Sequence, residues 1–434
     1  MVELKGLPGF RDFYPEEMAA RSYLMGVWRD VARRYGFEEY DGPPLEVLDL
    51  YTRKSGEEIV QQLYEFEDKG GRRVALRPEM TPTLARMVGA RAPALRKPVR
   101  WFSTPQLFRY ERKQRGRLRE HFQLNLDILG EEDVLADADL LAAAIDIMRA
   151  TGLDSTQVRA RVSDRRVLAA IFQHLGVAET KLESVYEVVD KLDREPRERL
   201  EARLTDLGLE PQTIAGVFDT TQLRGIEDLE ANFGEVPSVA EHIAELSDYL
   251  EHLENLGVVE FVDIDLSVVR GLAYYTGIVF ELWDASRKLR AICGGGRYDD
   301  LLGLIAGVDM PALGFGMGDV VITELLRDRR LLPEPGRSLD CFVAWLGVDG
   351  RRQALRATRA IREVGLSAIF EFRDRRIGNQ LKSADQLGAR RAVIIGPREI
   401  EASQARIRDM STGGERVVAF DELGLTLAAE LGDG

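Results

Sequence analysis

Residues 16–36, EEMAARSYLMGVWRDVARRYG, place apolar side chains at helical spacing and stop at Gly36, which predicts an N-terminal helix. A short extended piece then runs to Pro43-Pro44. Residues 98–110 and 118–129 read as two strands joined by the polar loop ERKQRGR, and 133–150 reads as a helix. From 164 to 256 long amphipathic patterns dominate, broken by Pro196 and Pro211, so an all-helical insertion is expected at about 175–255. Strand patterns resume at 258–283, 289–296 and 312–322. LLPEPGR, 331–337, has the prolines and glycine of a linker. Beyond it CFVAWLG, a helix to about Gly365, AIFEF, a helix near 378–388 and RAVIIG alternate strand and helix, the pattern of a small α/β domain with a parallel or mixed sheet. The expected division is 1–330, a linker at 331–337, and 338–434. No fixed-period repeat or low-complexity segment interrupts it.

Bulk composition changes this picture little. Hydrophobic residues at 45% and charged residues at 30% are the proportions of a soluble globular chain. No apolar run approaches the roughly 20 residues of a membrane span, and the N-terminus lacks the apolar core of a secretory signal. With only Cys293 and Cys341, a disulfide framework or a protein-built zinc site is not expected, and a reducing cytoplasm fits. The net charge of −14 argues against non-specific nucleic-acid binding. It is unevenly spread, however. Residues 337–434 hold 16 basic and 14 acidic side chains, and residues 100–120 hold seven basic against two acidic. A local anion site is therefore allowed.

That basic interval contains the strongest local feature, FRYERKQRGRLREHFQLNLDILG at 108–130. Guanidinium forks match phosphate oxygens bidentately, and a loop between paired strands can present several of them. Arg109 and Glu111 lie two apart and share a face on a strand, as do Gln123 and Asp127 four apart. The alternative is an ordinary solvated basic hairpin. In RPEMTP, 77–82, the flanking prolines favour an extended segment on which Glu79 and Thr81 share a side, an arrangement that suits an ammonium ligand. VVRGLAYYTGIVFEL, 268–282, sets Arg270 ahead of Tyr274-Tyr275. ICGGGRYDDLLG, 292–303, has three glycines that are poor strand material and suggest a close approach of ligand or backbone. ALGFGMGDVVI, 312–322, has Gly314, Gly316 and Gly318 in five positions and no basic residue. No nucleophile stands out, only His121 of the four histidines lies in a motif, and no spacing suits a metal held by protein alone.

In chain order these segments resemble the histidyl-tRNA synthetases, which are class II aminoacyl-tRNA synthetases. GLPGFRDFYPEEM resembles the family's N-terminal signature, the segment ending at Pro44 its dimer-forming motif 1, and FRYERKQRGRLREHFQ its motif 2. VRGLAYYTGIVFE and GGGRYDDLLG resemble its two histidine signatures, and GNQLKSADQLGARRAVIIGPREI its anticodon-binding domain. The resemblance implies an α+β catalytic domain built on an antiparallel sheet, with a helical insertion and a C-terminal α/β anticodon-binding domain. It also implies a cytoplasmic homodimer that uses ATP with Mg²⁺, histidine and tRNA(His). By the same resemblance Arg109 and Arg270 are catalytic and hold the α-phosphate. Glu111, Arg117, Gly316 and Gly318 complete the ATP site, with the glycines against adenine and ribose. Glu79, Thr81, Gln123, Asp127, Arg270, Tyr274, Tyr275 and Tyr298 form the histidine site, Asp127 reading the imidazole where many members have Glu. Gly294–Gly296 would let substrate approach the sheet.

The chain departs from the family pattern at three places. Ala273 stands where the histidine signature has Asp. Val321 stands where motif 3 has its ATP-binding arginine, so either another basic residue of the motif 2 loop, Arg115 or Arg117, covers the γ-phosphate or ATP is bound less tightly than in relatives. His121-Phe122-Gln123 replaces Phe-His-Gln. These departures keep two other readings in view: a histidine-binding regulatory paralogue serving a phosphoribosyltransferase, and a weakened synthetase-like module that binds RNA or a metabolite.

Overall fold

The computed structural model describes residues 5–52, 61–111, 116–270, 274–333 and 339–432. The chain divides into two compact units, Met1–Leu332 and Pro333–Gly434. Most of the expected linker, along with Arg115 and Ala273, lies outside the described residues.

The first unit is built on a nine-stranded sheet. Its order is Glu38–Glu39, Val99–Ser103, Glu120–Leu129, Ala312–Gly318, Cys293–Arg297, Ile278–Asp284, Val158–Asp164 and Val262–Ile264, with Gln106–Phe108 pairing alongside Glu120–Leu129. The pairs through the middle are antiparallel, and one parallel strand closes each edge. Period-two alternation explains how the central strands sit. Leu124, Leu126, Ile128, Phe280, Leu282, Phe315 and Met317 enter one continuous core together with the apolar helix Val134–Ala150. On the other face stand His121, Gln123, Asn125, Asp127, Glu281 and the glycines.

Helices fill 165–255, beginning with Arg165–His174 and ending with Pro237–Asn255, and their buried residues join the same core. A smaller sheet of Leu45–Val47, Arg73–Leu76 and Tyr64–Glu67 lies beside the helix Thr81–Gly89. The second unit is a five-stranded mixed sheet with helices. Ala368–Phe370, Cys341–Trp345 and Arg391–Ile395 run parallel, and Gln404–Asp409 and Glu415–Ala419 add antiparallel. The α+β class, the antiparallel sheet and the C-terminal α/β unit are as the sequence led us to expect.

Local expectations needed correction where side-chain chemistry overrode pattern. The run 98–110 is two strands, because 104–105 interrupts the ladder at Pro105, which has no N–H to give. The stretch 258–283 holds a 3₁₀ turn and the short strand Val262–Ile264, then leaves the sheet. There Asp265 accepts from the Ser267 backbone N–H at 3.1 Å and its hydroxyl at 2.7 Å, a local turn that competes with pairing. Val320 and Val321 are helical rather than strand, since the helix Asp319–Asp328 starts directly after Gly318. Asp319 anchors that start by accepting from Arg11 at 2.8 Å and from the Phe122 N–H at 2.9 Å. Thr81 opens a helix, so Glu79 and Thr81 are not neighbours on an extended segment.

Candidate active site

The polar face of the large sheet is the floor of two adjoining lobes of about 300 and about 290 Å³. The outer lobe is walled by Gly116, Leu118, His121, Trp283, Gly318 and Val321. The inner lobe is walled by Glu79, Thr81, Asn125, Asp127, Tyr274, Tyr275 and Tyr298. Arg109, Glu111, Arg117, Gln123, Arg270 and Gly316 border both lobes and form the waist between them. Every described candidate residue of the ATP and histidine sites thus borders one lobe or both, as does Gly294, whereas Gly295 and Gly296 do not. Arg109 and Glu111 do so from just beyond the strand Gln106–Phe108 and not from within it, although Arg109 still donates its N–H to Arg119.

Two further arginines border both lobes, Arg194 and Arg290. Sequence reading missed them. Arg194 comes from the turn between the helices Leu182–Val189 and Arg197–Asp206, and Arg290 from the segment entering Cys293–Arg297. Neither sits in a recognisable motif. The only signal was a basic residue three positions before a glycine-rich strand, and that signal is weak.

The waist is cationic. Five arginines face two carboxylates there, Glu111 and Glu281. Glu111 is ion-paired with Arg117, and Glu281 with Arg270 at 2.6 Å. Trp283 also donates to Glu281 at 2.9 Å, and Arg109 is steadied by the Pro78 carbonyl at 2.9 Å. Excess guanidinium in a recessed site suits a multiply charged anion. Arg270 adopts a left-handed backbone (φ 57°), an uncommon state for a side-chain-bearing residue that costs of order 1 kcal/mol and persists where structure enforces it.

The glycines have an unexpected role. Glu281, Gly294, Gly316 and Asn125 form one cross-strand row. A Cβ on Gly294 would stand 2.3 Å from Arg270 Nη1, and one on Gly316 2.5 Å from Gln123 Nε2. One row further, a Cβ on Gly314 would stand 2.1 Å from Asp127 Oδ1. The bare strands therefore accommodate the protein's own polar side chains, laid flat over the sheet. Gln123 is fixed there by Asn125, to which it donates at 2.8 Å. Nor are Gly294–Gly296 poor strand material in this setting. They form a buried central strand because side chains at Gly295 and Gly296 would strike the carbonyls of Gly314 and Ile278.

Electrostatics divide the inner and outer lobes. Burial pushes the Asp127 carboxyl up to about 7, partly opposed by the hydrogen bond that Tyr298 donates to Oδ1. Asp127 Oδ2 is buried without a hydrogen-bond partner among the described residues. Tyr274 packs against Tyr275 with ring centres 5.1 Å apart and meets Tyr298 edge-on at 5.9 Å, giving an aromatic wall beside that carboxyl. In the outer lobe, burial holds His121 down to about 3, helped by the charge of Arg109, so its ring is neutral near pH 7. A cationic waist, an aromatic inner lobe ending in a carboxyl, and an outer lobe with a neutral ring together suit the joining of an amino acid to a nucleotide. No group placed as a protein nucleophile is needed, because positioning and charge stabilisation suffice for such transfer.

Comparison with known proteins agrees. The histidyl-tRNA synthetase family profile matches residues 9–318, and an anticodon-binding domain profile matches 340–430. The chain is 40% identical over 422 residues to the chloroplast and mitochondrial histidine–tRNA ligase of Arabidopsis thaliana, covering 97% of this chain and 86% of that one. It is 39% identical over 426 residues to the histidine–tRNA ligase of Opitutus terrae, covering 98% of each. The crystal structure of histidyl-tRNA synthetase from a Nostoc species superposes with a TM-score of 0.82 at 26% identity, over 99% of this chain and 100% of that one. By the matched length and by these identities, this chain belongs to the histidyl-tRNA synthetase family.

Proposed function

We propose that the protein is a histidine–tRNA ligase that activates histidine with ATP and transfers it to the 3′ end of tRNA(His). The observation that carries this reading is the position of the arginine-rich waist between a carboxyl-ended aromatic lobe and a second lobe. Histidine would lie in the inner lobe. Its imidazole N–H would donate to Asp127, and its ammonium group would meet Glu79, Thr81 and Gln123 beside Tyr274, Tyr275 and Tyr298. ATP would lie in the outer lobe with Glu111, Gly316 and Gly318 near the nucleoside, and its phosphates would cross the waist. Arg109 and Arg270 would hold the α-phosphate and the histidine carboxylate. The carboxylate oxygen attacks the α-phosphorus, the bond to the pyrophosphate oxygen breaks, and pyrophosphate leaves. The 3′-terminal ribose hydroxyl then attacks the adenylate carbonyl, and AMP leaves.

Among the described residues no cluster of three or more His, Cys, Asp or Glu side chains is set to hold a metal. That suits Mg²⁺ arriving on the nucleotide, where phosphate oxygens and water supply most ligands and the protein need add few or none. The C-terminal unit would read the anticodon. A homodimer is supported by Leu45, Val47 and Phe66, exposed apolar side chains on the small sheet. Sedimentation equilibrium should return twice the chain mass, and Val47→Asp with Phe66→Asp should halve it; a wild-type monomer would refute the dimer. Among the described residues no helix is long and apolar enough to cross a membrane, and both cysteines are free and buried, which fits a reducing cytoplasm.

No observation favours the regulatory or the RNA-binding alternative. The direct test is ATP–pyrophosphate exchange with each amino acid in turn, then charging of tRNA(His). Exchange is expected with histidine alone. No exchange with any amino acid would sink the ligase reading.

A further inference from the structure

Arg290, like Arg194, is a residue of the waist that neither the motifs nor the resemblance assigns. It borders both lobes. Its stem lies near Gly116, as does Val321. Arg290 Cδ lies 3.8 Å, and Val321 Cγ2 3.5 Å, from the point a Cβ on Gly116 would occupy. Gly116 is itself left-handed (φ 72°), so this corner stays bare. Leu289, the preceding residue, is buried in the main core and anchors the segment. The helix Asp319–Asp328 offers this wall only the apolar Val320 and Val321. Arg290, gathered with Val321 around Gly116, thus brings a cation to a wall that this helix leaves apolar.

We propose that Arg290 is a nucleotide-binding residue that holds the β,γ end of the polyphosphate. The inference rests on the proposed ATP site. Five guanidinium groups gathered where the two lobes meet suit a polyphosphate better than a monophosphate. A planar fork also selects direction, because it can accept two phosphate oxygens at once.

The test measures calorimetric binding of MgATP and of AMP, together with exchange kinetics, for wild type, Arg290→Ala and Arg290→Lys. Arg290→Ala should weaken ATP binding and raise the KM for ATP by at least about tenfold. AMP affinity and the KM for histidine should stay within about twofold. Arg290→Lys should recover part of the loss, and Arg290→Ala with Val321→Arg should recover part of it from the neighbouring position. Unchanged ATP affinity in Arg290→Ala, or equal losses for ATP and AMP, would overturn the assignment. If wild type binds ATP and Arg290→Ala weakens it but no histidine-dependent exchange is found, the ligase reading falls and the Arg290 assignment stands. If wild type binds no ATP, both fall.

Discussion

Arg270→Ala is expected to lower histidine-dependent exchange by ~10³-fold in kcat, the loss typical of removing one preorganised donor from developing charge. Its melting temperature should stay within a few degrees of the parent. The structure gives reasons for both halves. Arg270 is half-buried at the waist, bonded to Glu281 at 2.6 Å, and its guanidinium lies flat over Gly294. Its removal leaves Glu281 still bonded to Trp283, so no carboxylate is stranded. The companion variant Gly294→Ala leaves Arg270 in place chemically and displaces it sterically. The new Cβ would overlap the guanidinium end of a flexible side chain, not backbone, so the strand should survive while the guanidinium shifts. A loss of ~10–100-fold in kcat is expected. Wild-type exchange in Arg270→Ala would remove Arg270 from the mechanism. Wild-type exchange in Gly294→Ala alone would mean that the observed resting place of Arg270 is not its working one.

These two variants also mark what could be read from the sequence. Arg270 was legible because it stands in a motif. That it needs a glycine on a different strand was not, because the pairing of Gly294 with Glu281 is a property of sheet register. The same holds for the glycines of ALGFGMG. Their density signalled close approach, but the sequence could not say that the visitors are Asp127 and Gln123 from the adjacent strand. Alternation made the strand over 118–129 plain, since its polar residues face the cleft and its apolar ones face the helix Val134–Ala150. Val320 and Val321 misled for the opposite reason. Two β-branched residues after a strand continue the strand pattern, yet Arg11 and the Phe122 N–H capture Asp319 and start a helix. Arg194 and Arg290 were illegible because loops place them, and loop placement is a tertiary fact. Where motifs carried the residues, the candidate set came together around one cleft. Where long-range packing carried them, only the structure could supply them.

Asp127→Asn should make the protein more stable and a poorer binder of histidine at the same time. Burial holds the Asp127 carboxyl near 7 in the folded chain, against 3.8 for an ordinary aspartate. Between about pH 4 and pH 7 the folded state therefore keeps a proton that the unfolded state has released. Stability falls as pH rises through that window and stays lowered above it, because the folded site must then hold a buried charge. Asparagine has no such titration. At pH 8 the variant should be more stable by roughly 4 kcal/mol, an order-of-magnitude figure that follows from the shift, and the gain should vanish near pH 4. Binding moves the other way. Oδ1 already takes the Tyr298 hydroxyl, and Oδ2 is buried without a partner among the described residues, so an ionised Asp127 is a strong acceptor for an imidazole N–H. The KM for histidine should rise by ~10–100-fold in the variant at pH 8. Free histidine titrates near ~6.5 itself, which affects both proteins alike. The informative quantity is thus the ratio of the two KM values, which should widen from pH 6 to pH 8 as Asp127 ionises. A ratio flat across that range, or a variant less stable than its parent at pH 8, would show that Asp127 is a structural partner of Tyr298 and not the group that reads the substrate.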